Sequence, residues 1–242
     1  MSVISNISGV VITYNEEAYI RPCIEALQRV VDEVVVVDSY STDGTKAICE
    51  ELGVVFLEHK WEGFAETKNW ANTQCSNAWI LSVDADEVLS DTLIQSINQE
   101  KKKGLQANVV YRFNRLNNYC GVWLKYAGWY PDMKARLFEK SKTRWEGDVH
   151  EKLTFKNDIN YQHLKGDLLH YSIKDKEDHL SRVKKYCKLE KPYPSMVIGF
   201  LAAFYTFFRS YILKRGFMAG KIGFQVSYIS ALAKWWRGID VE

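Results

Sequence analysis

"WILSVDADEVLS", Trp79 to Ser90, is the stretch that decides the fold. A run of apolar residues ends in two aspartates one residue apart, Asp84 and Asp86. Carboxylates crowded at the end of a buried strand lose hydration and repel one another unless a cation pairs with them. In an extended or tight-turn segment residues i and i+2 point the same way, so both acids can serve one site. The pattern suits a hard divalent ion, Mg2+ or Mn2+, held by few carboxylates and completed by substrate phosphates. One carboxylate would touch the ion while the other holds a neighbouring hydroxyl. The acids also read as a solvated cluster before a helix, because "DTLIQSINQEKKK" follows and Ser90 or Asp91 can cap it.

Upstream, the same rhythm repeats. "ISGVVITYN" is a β-branched run and a good buried strand, "DEVVVVDSYSTDG" is again a β-branched run closed by a polar loop, and "VVFLE" is a third strand. Between them "EEAYIRPCIEALQRV", "TKAICEEL" and "GFAETKNWANTQC" have helical spacing. Strands alternating with helices predict an α/β fold, a mostly parallel sheet with helices on both faces. Such sheets bind ligands beyond the carboxyl ends of their strands. Three polar clusters fall there: "TYNEE", "DSYSTDG" and "DADE". After about residue 105 the rhythm changes to aromatic and β-branched segments with Gly and Asn turns, an antiparallel or mixed continuation of the sheet. From Asp175 the pattern is helical and basic to the end.

The chain has 242 residues, 47% hydrophobic and 26% charged, which fits one large globular domain or one with an appendage. Five scattered cysteines without a Cys-x-x-Cys pair predict reduced thiols in a cytosolic protein. The N-terminus moves within a few residues into a strand, so no signal peptide is expected. The net charge of +2 hides an asymmetry: from Arg182 to Gly238 there are eleven Lys and Arg and a single acid, Glu190. Basic residues interleaved with Phe, Tyr, Trp and Leu suit an anionic membrane, nucleic acid or a solvated helical face.

"VVITYNEEAYI", "VVVVDSYSTDGT" and "WILSVDADE", in this order, resemble the nucleotide-sugar half of family-2 glycosyltransferases with the GT-A fold. The later pieces "GWYPDMKARLF" and "WEGDVHEKL" are similar to a bacterial branch typified by the β-1,4-glucosyltransferase of lipopolysaccharide inner-core assembly. The resemblance implies a GT-A domain over 1–174, with a nucleotide-sugar-binding part at 1–105 and an acceptor-binding part at 106–174. A basic amphipathic helical extension follows at 175–242. It implies that Thr13, Tyr14, Asn15 and Glu16 surround the base and ribose, and that Asp38 accepts from the uracil N–H. Ser39 and Asp43 shape the loop over the nucleotide. Asp84 holds the ribose or the ion, Asp86 coordinates the ion on the diphosphate, and Lys68 faces the phosphates. The donor it implies is a UDP-sugar, UDP-glucose foremost. The acceptor is a glycan or lipid-linked sugar in cell-surface polysaccharide or lipopolysaccharide core assembly.

Transfer from a nucleotide sugar needs a stabilised diphosphate leaving group and a base for the acceptor hydroxyl. "GDVHEKL" supplies Asp148, His150 and Glu151. The resemblance favours Glu151 as the base of an inverting displacement, with Asp148 the runner-up and His150 an orienting neighbour. His170, closing the apolar run "DLLHYS", is a second candidate metal ligand or a structural histidine. Trp129, Tyr130 and Asp132 form a candidate acceptor platform, and Arg136 either reaches the phosphates or pairs with an acid.

Three rivals stand beside this reading. "DADEV" also matches the nucleophile loop of haloacid-dehalogenase-like phosphohydrolases, although that loop normally ends a first strand. A scaffold would not need Asp86 and a base. A transferase acting on polyprenyl phosphate would need the base less. For the tail, "PSMVIGFLAAFYTFFRSYILKRGFMAGKIGF" predicts a helix lying in a membrane interface, with Lys214, Arg215, Lys221, Lys234 and Arg237 toward anionic headgroups. A spanning helix and a helix packed as core are the alternatives. The expected location is the inner face of the cytoplasmic membrane, peripheral, with no nucleic acid as partner.

Overall fold

The computed structural model describes residues 5–147, 151–155 and 159–239. The first half follows the expected alternation: β1 (Ile7–Thr13), α1 (Ile20–Gln28), β2 (Glu33–Asp38), α2 (Thr45–Glu51), β3 (Val55–Glu58), α3 (Phe64–Thr73) and β4 (Trp79–Asp84). A short β5 (Glu87–Leu89), which the sequence pattern does not announce, precedes α4 (Asp91–Lys103). Then come β6 (Val109–Tyr119), β7 (Val122–Trp123), β8 (Asp132–Glu139), β9 (Thr143–Glu146), β10 (Lys152–Phe155) and β11 (Asn160–Ile173). Three helices close the chain: α5 (Lys176–Leu189), α6 (Met196–Phe208) and α7 (Gly220–Ile239). Between α6 and α7 lie a π-helical turn, Arg209–Leu213, and a 3-10 turn, Gly216–Ala219.

The large sheet has the order β3-β2-β1-β4-β8-β6-β11-β5, with β7 on β6, and β9 pairs with β10 in a separate ribbon. β1 runs parallel to β2 and β4, and β2 parallel to β3. β8 joins β4 antiparallel, so the sheet is parallel in its first half and mixed beyond it, as the change of rhythm predicts. Register aligns the polar ends: Thr13 faces Asp38, and Ile12 faces Asp84. The loops after β1, β2 and β4 therefore leave the same edge.

Compact packing divides the chain into two units, Met1–Arg115 with Met133–His170, and Leu116–Asp132 with Tyr171–Glu242. In the first, β1 and β2 are buried on both faces. Val11, Val34 and Val36 join one apolar cluster with α1 and α4, while Val10, Val35 and Val37 join another with α3. Double-sided burial is why these strands read as unbroken apolar runs rather than alternating ones. α4 starts where expected. Ser90 is its cap, its hydroxyl accepting from the Leu93 N–H at 3.4 Å, and Asp91 instead pairs with Arg29 at 2.8 Å. The second unit has its own smaller cluster around Tyr119, Leu124, Ile173 and Val226. All five cysteines are free.

Candidate active site

The first two loops are knitted to each other. Asn15, in the left-handed region at φ 55°, donates its N–H to the Ser41 hydroxyl at 2.8 Å and accepts the Thr42 N–H on its side-chain oxygen at 2.8 Å. Glu16 N–H donates to the Thr45 hydroxyl at 2.9 Å and Glu17 N–H to Asp43 at 3.1 Å. Asp43 in turn accepts from the Thr45 N–H and hydroxyl at 3.0 and 2.6 Å. These contacts hold the Asp43 carboxyl below its usual range although burial acts to raise it. Ser39 donates its N–H to the Thr13 carbonyl at 2.9 Å. The Thr13 hydroxyl is buried and has no partner among the described residues. Asp38 is buried, and its carboxylate accepts from the N–H of Ser41 at 2.7 Å and from the Ser41 hydroxyl. Tyr14 and Tyr40 leave exposed rings on the two loops.

At the end of β4 the acids separate in role. Asp84 takes Lys68 on one oxygen at 2.9 Å and Arg136 on the other at 2.7 Å. Burial acts to raise its pKa, but Arg136 and Lys68 outweigh that and hold it well below the usual carboxylate range. Lys68 lies on α3 with 1% of its surface exposed, and its ammonium also holds Glu151 at 2.8 Å. The Trp145 ring centroid lies 4.9 Å from the same nitrogen, a cation–π contact. Arg136 continues to Glu87 at 2.9 Å, and Glu87 takes Arg115 at 3.3 Å and the Asp84 N–H at 3.0 Å. Burial opposes the Arg136 charge, and Asp84 and Glu87 more than offset it, so its pKa is raised. The result is a chain of alternating charge, Glu151, Lys68, Asp84, Arg136, Glu87, Arg115. Three carboxylates face three cations.

Asp86 points elsewhere. β5 pairs antiparallel with β11, which sets His170 opposite Glu87 and brings its ring nitrogen within 3.2 Å of the Asp86 carboxylate. A carboxylate oxygen and an imidazole nitrogen are suitable donors for Mg2+ or, better, Mn2+. The described residues hold no cluster of three or more His, Cys, Asp or Glu suited to a metal, so the remaining positions would fall to phosphate oxygens and water.

Residues 8–151 match the family described as glycosyl transferase family 2. The chain belongs to that family. It is a glycosyltransferase of GT-A type, and the phosphohydrolase and scaffold readings fall away. It is 30% identical to an uncharacterised glycosyltransferase of Rickettsia bellii over 96% of this chain and 84% of the relative. It is 31% identical to the lipopolysaccharide core biosynthesis glycosyltransferase LpsC of Rhizobium meliloti, over 76% of this chain and 70% of the relative. Among solved structures, Staphylococcus aureus TarS 1–349 is similar at 18% identity with a TM-score of 0.48, over 96% of this chain and 81% of that one, a likeness too loose to argue from.

Of the residues singled out in the sequence, the transferase gathers Asp84, Lys68 and Glu151 into one ion-paired group, and Asp86 and His170 into another. Lys68 is spent on two carboxylates rather than lying open, and Arg136 is paired with acids. Trp129, Tyr130 and Asp132 fall in the second unit, where the Trp129 ring stands edge-on to Tyr119 at 5.7 Å and His179 at 6.0 Å. Asp148 and His150 lie outside the described residues. Sequence reasoning missed Ser41, Glu87 and Arg115. Glu87 was in plain view as the last acid of "DADE", but its partners come from strands distant in the chain.

Proposed function

We propose that this enzyme moves a sugar, glucose from UDP-glucose being the favoured case, from a nucleotide-sugar donor to a hydroxyl of a glycan or lipid-linked acceptor, with inversion. The observation that carries this reading is the pair of groups at the end of β4, with Asp86 beside His170 and Asp84 joined through Lys68 to Glu151. The nucleotide would lie on the knitted loops after β1 and β2, where the unpartnered Thr13 hydroxyl and the exposed Tyr14 and Tyr40 rings wait for polar and stacking partners. Asp38 keeps lone pairs beyond those that Ser41 uses, which a uracil N–H can fill. A divalent ion held by Asp86 and His170 would supply positive charge to the departing diphosphate.

Asp84, fixed from both sides by Lys68 and Arg136, is ready to orient the donor without rearranging. Glu151 has one oxygen on Lys68, and its other oxygen takes the proton from the acceptor hydroxyl. The acceptor oxygen then bonds to the anomeric carbon as the carbon–diphosphate bond breaks on the opposite face. The proton rests on Glu151 and the electron pair on the diphosphate. The relationship to LpsC supports an acceptor in lipopolysaccharide core assembly. In domain terms, 1–174 would carry the transfer and 175–242 the helical extension.

The test is the stereochemistry of the product. With α-configured UDP-glucose and a lipopolysaccharide-core acceptor, the anomeric proton of the new linkage is expected to show the β configuration by NMR. An α linkage, or turnover undiminished by a chelator, overturns the mechanism.

A further inference from the structure

The second unit ends in a helical hairpin with an unusual outer surface. Gly199 of α6 meets Gly238 of α7, and the Ser210 and Ser227 hydroxyls bond at 2.9 Å, so the two helices run antiparallel in one register. Their backbones are very close. A Cβ on Gly199 would lie 2.6 Å from the Gly238 Cα, and one on Gly223 of α7 would lie 1.7 Å from the carbonyl oxygen of Gly216 in the turn that joins the two helices. Both ends of the hairpin are also fixed to the rest of their own unit. At the turn, Ser210 donates to the Ala127 carbonyl at 3.0 Å and Ala127 donates to the Lys214 carbonyl at 3.0 Å. At the open end, Tyr193 N–H donates to the Arg237 carbonyl at 2.8 Å, and Arg237 binds the Lys191 carbonyl at 2.7 Å and pairs with Glu190.

Small residues pack inward, so the large ones face out. Val197, Phe200, Leu201, Phe204, Tyr205 and Phe208 are all exposed, Val197 by 67% and Phe204 by 65%. On α7, Phe224 and Tyr228 stack and are half exposed. The stretch Met196–Leu213 is long and apolar enough to cross a membrane on length and composition. At its end, Arg209, Lys214, Arg215 and Lys221 are exposed, and no Asp or Glu occurs between Glu190 and Asp240.

We propose that this face rests in the plane of an anionic membrane leaflet, with the α6 side chains in the acyl boundary and Arg209, Lys214, Arg215 and Lys221 against lipid phosphates. Three observations decide among the possible occupants. A second copy of the same face would bring like charges together with no acid in the segment to answer them. A crossing helix must leave its unit, and this hairpin is tied down at the turn and at the open end. An anionic leaflet meets both the apolar surface and the positive charge. Because glycine contacts already lock the hairpin, the surface is built before lipid arrives, unlike a segment that becomes helical on binding. Arg237, expected from the sequence to meet headgroups, is instead an internal tie to Glu190 and Lys191. The proposal is independent of the sugar transferred.

The test is flotation of the full-length protein with vesicles of phosphatidylcholine, with and without phosphatidylglycerol. The wild type is expected to float with the anionic vesicles, less with the neutral ones, and to be partly released by high salt. Its helical circular dichroism is expected to stay constant when vesicles are added. The exposed double variant Leu201→Glu/Phe204→Glu is expected to lose at least about tenfold in bound fraction. A second variant, Lys214→Glu/Lys221→Glu, is expected to erase the preference for anionic vesicles and provides the test should the first be misfolded. Several results overturn the proposal: a wild type that never floats, variants that float like the wild type, release by detergent alone, a rise in helicity on binding, or a dimer that the apolar variant splits.

Discussion

Lys68 is a buried ammonium that two carboxylates share. Removing it leaves Asp84 and Glu151 without their common counter-charge in a partly desolvated place, and breaking a buried pair costs about 3 kcal/mol. Lys68→Met is expected to lower the stability measured by urea unfolding by about that amount. A loss under about 1 kcal/mol would mean that the pairs behave as exposed ones. Glu151→Gln separates the two tasks of the same chain. It keeps the shape and leaves Lys68 with an amide oxygen, but it cannot take a proton. The turnover of Glu151→Gln is expected to fall about 10²–10⁴-fold, with donor affinity nearly unchanged. An equal loss in donor affinity would make Glu151 a nucleotide-side residue. Asp84 and Asp86 stood out in the sequence because motif and strand end coincide there, whereas Lys68, inside α3, was pointed to only by the family resemblance. Arg136 stood out as a residue that reaches phosphate or pairs with an acid, and its partners are the acids Asp84 and Glu87. Arg115 did not stand out, because a lone charged residue in an apolar strand looks alike whether it faces water or a buried acid, and the role of Glu87 was hidden because its partners come from distant strands.

The elements that bring distant residues together depend on register. His170 reaches Asp86 only because β11 pairs with the short β5, and that pairing depends on a close approach at Gly166. Gly166 has φ 101°, and a Cβ there would lie 2.3 Å from the Leu93 backbone nitrogen at the start of α4. Gly166→Ala is expected to cost about 2 kcal/mol or more in thermal or denaturant unfolding, because both the backbone angle and the space are wrong for a side chain. A neutral Gly166→Ala would show that α4 and β11 can part freely. The parallel strands were readable from their apolar runs. β5 was hidden because three residues after "DAD" resemble the lead-in to a helix more than a strand.

For the molecule as a whole, stability and charge set the behaviour. In the second unit burial holds the pKa of His179 at about 4, below its ordinary 6.5. Gln225 donates to the Tyr119 hydroxyl at 2.9 Å, which leaves that hydroxyl to donate to Nδ1 of a neutral His179 at 2.9 Å. The unfolded chain therefore takes up the proton first as pH falls. The contribution of this group is complete above about pH 6.5 and is lost as pH falls toward 4, by about 3 kcal/mol in all. Denaturant midpoints followed across that window are expected to fall in the wild type and to fall less in His179→Phe. Equal slopes would remove His179 from the account. The division of charge, a basic helical end and an acidic remainder, was legible from composition alone. The apolar face and its internal ties were not, because only the packing of α6 on α7 shows which side of an all-apolar helix is left over.

The donor site can be tested without knowing the acceptor, by calorimetric titration of UDP-glucose into the wild type and Asp86→Asn, each with Mn2+ and with chelator. The expected result is binding by the wild type with Mn2+, and its loss both on chelation and in Asp86→Asn while the fold stays intact. Binding of equal strength in the chelated wild type or in Asp86→Asn would contradict a divalent donor site built on Asp86 and His170.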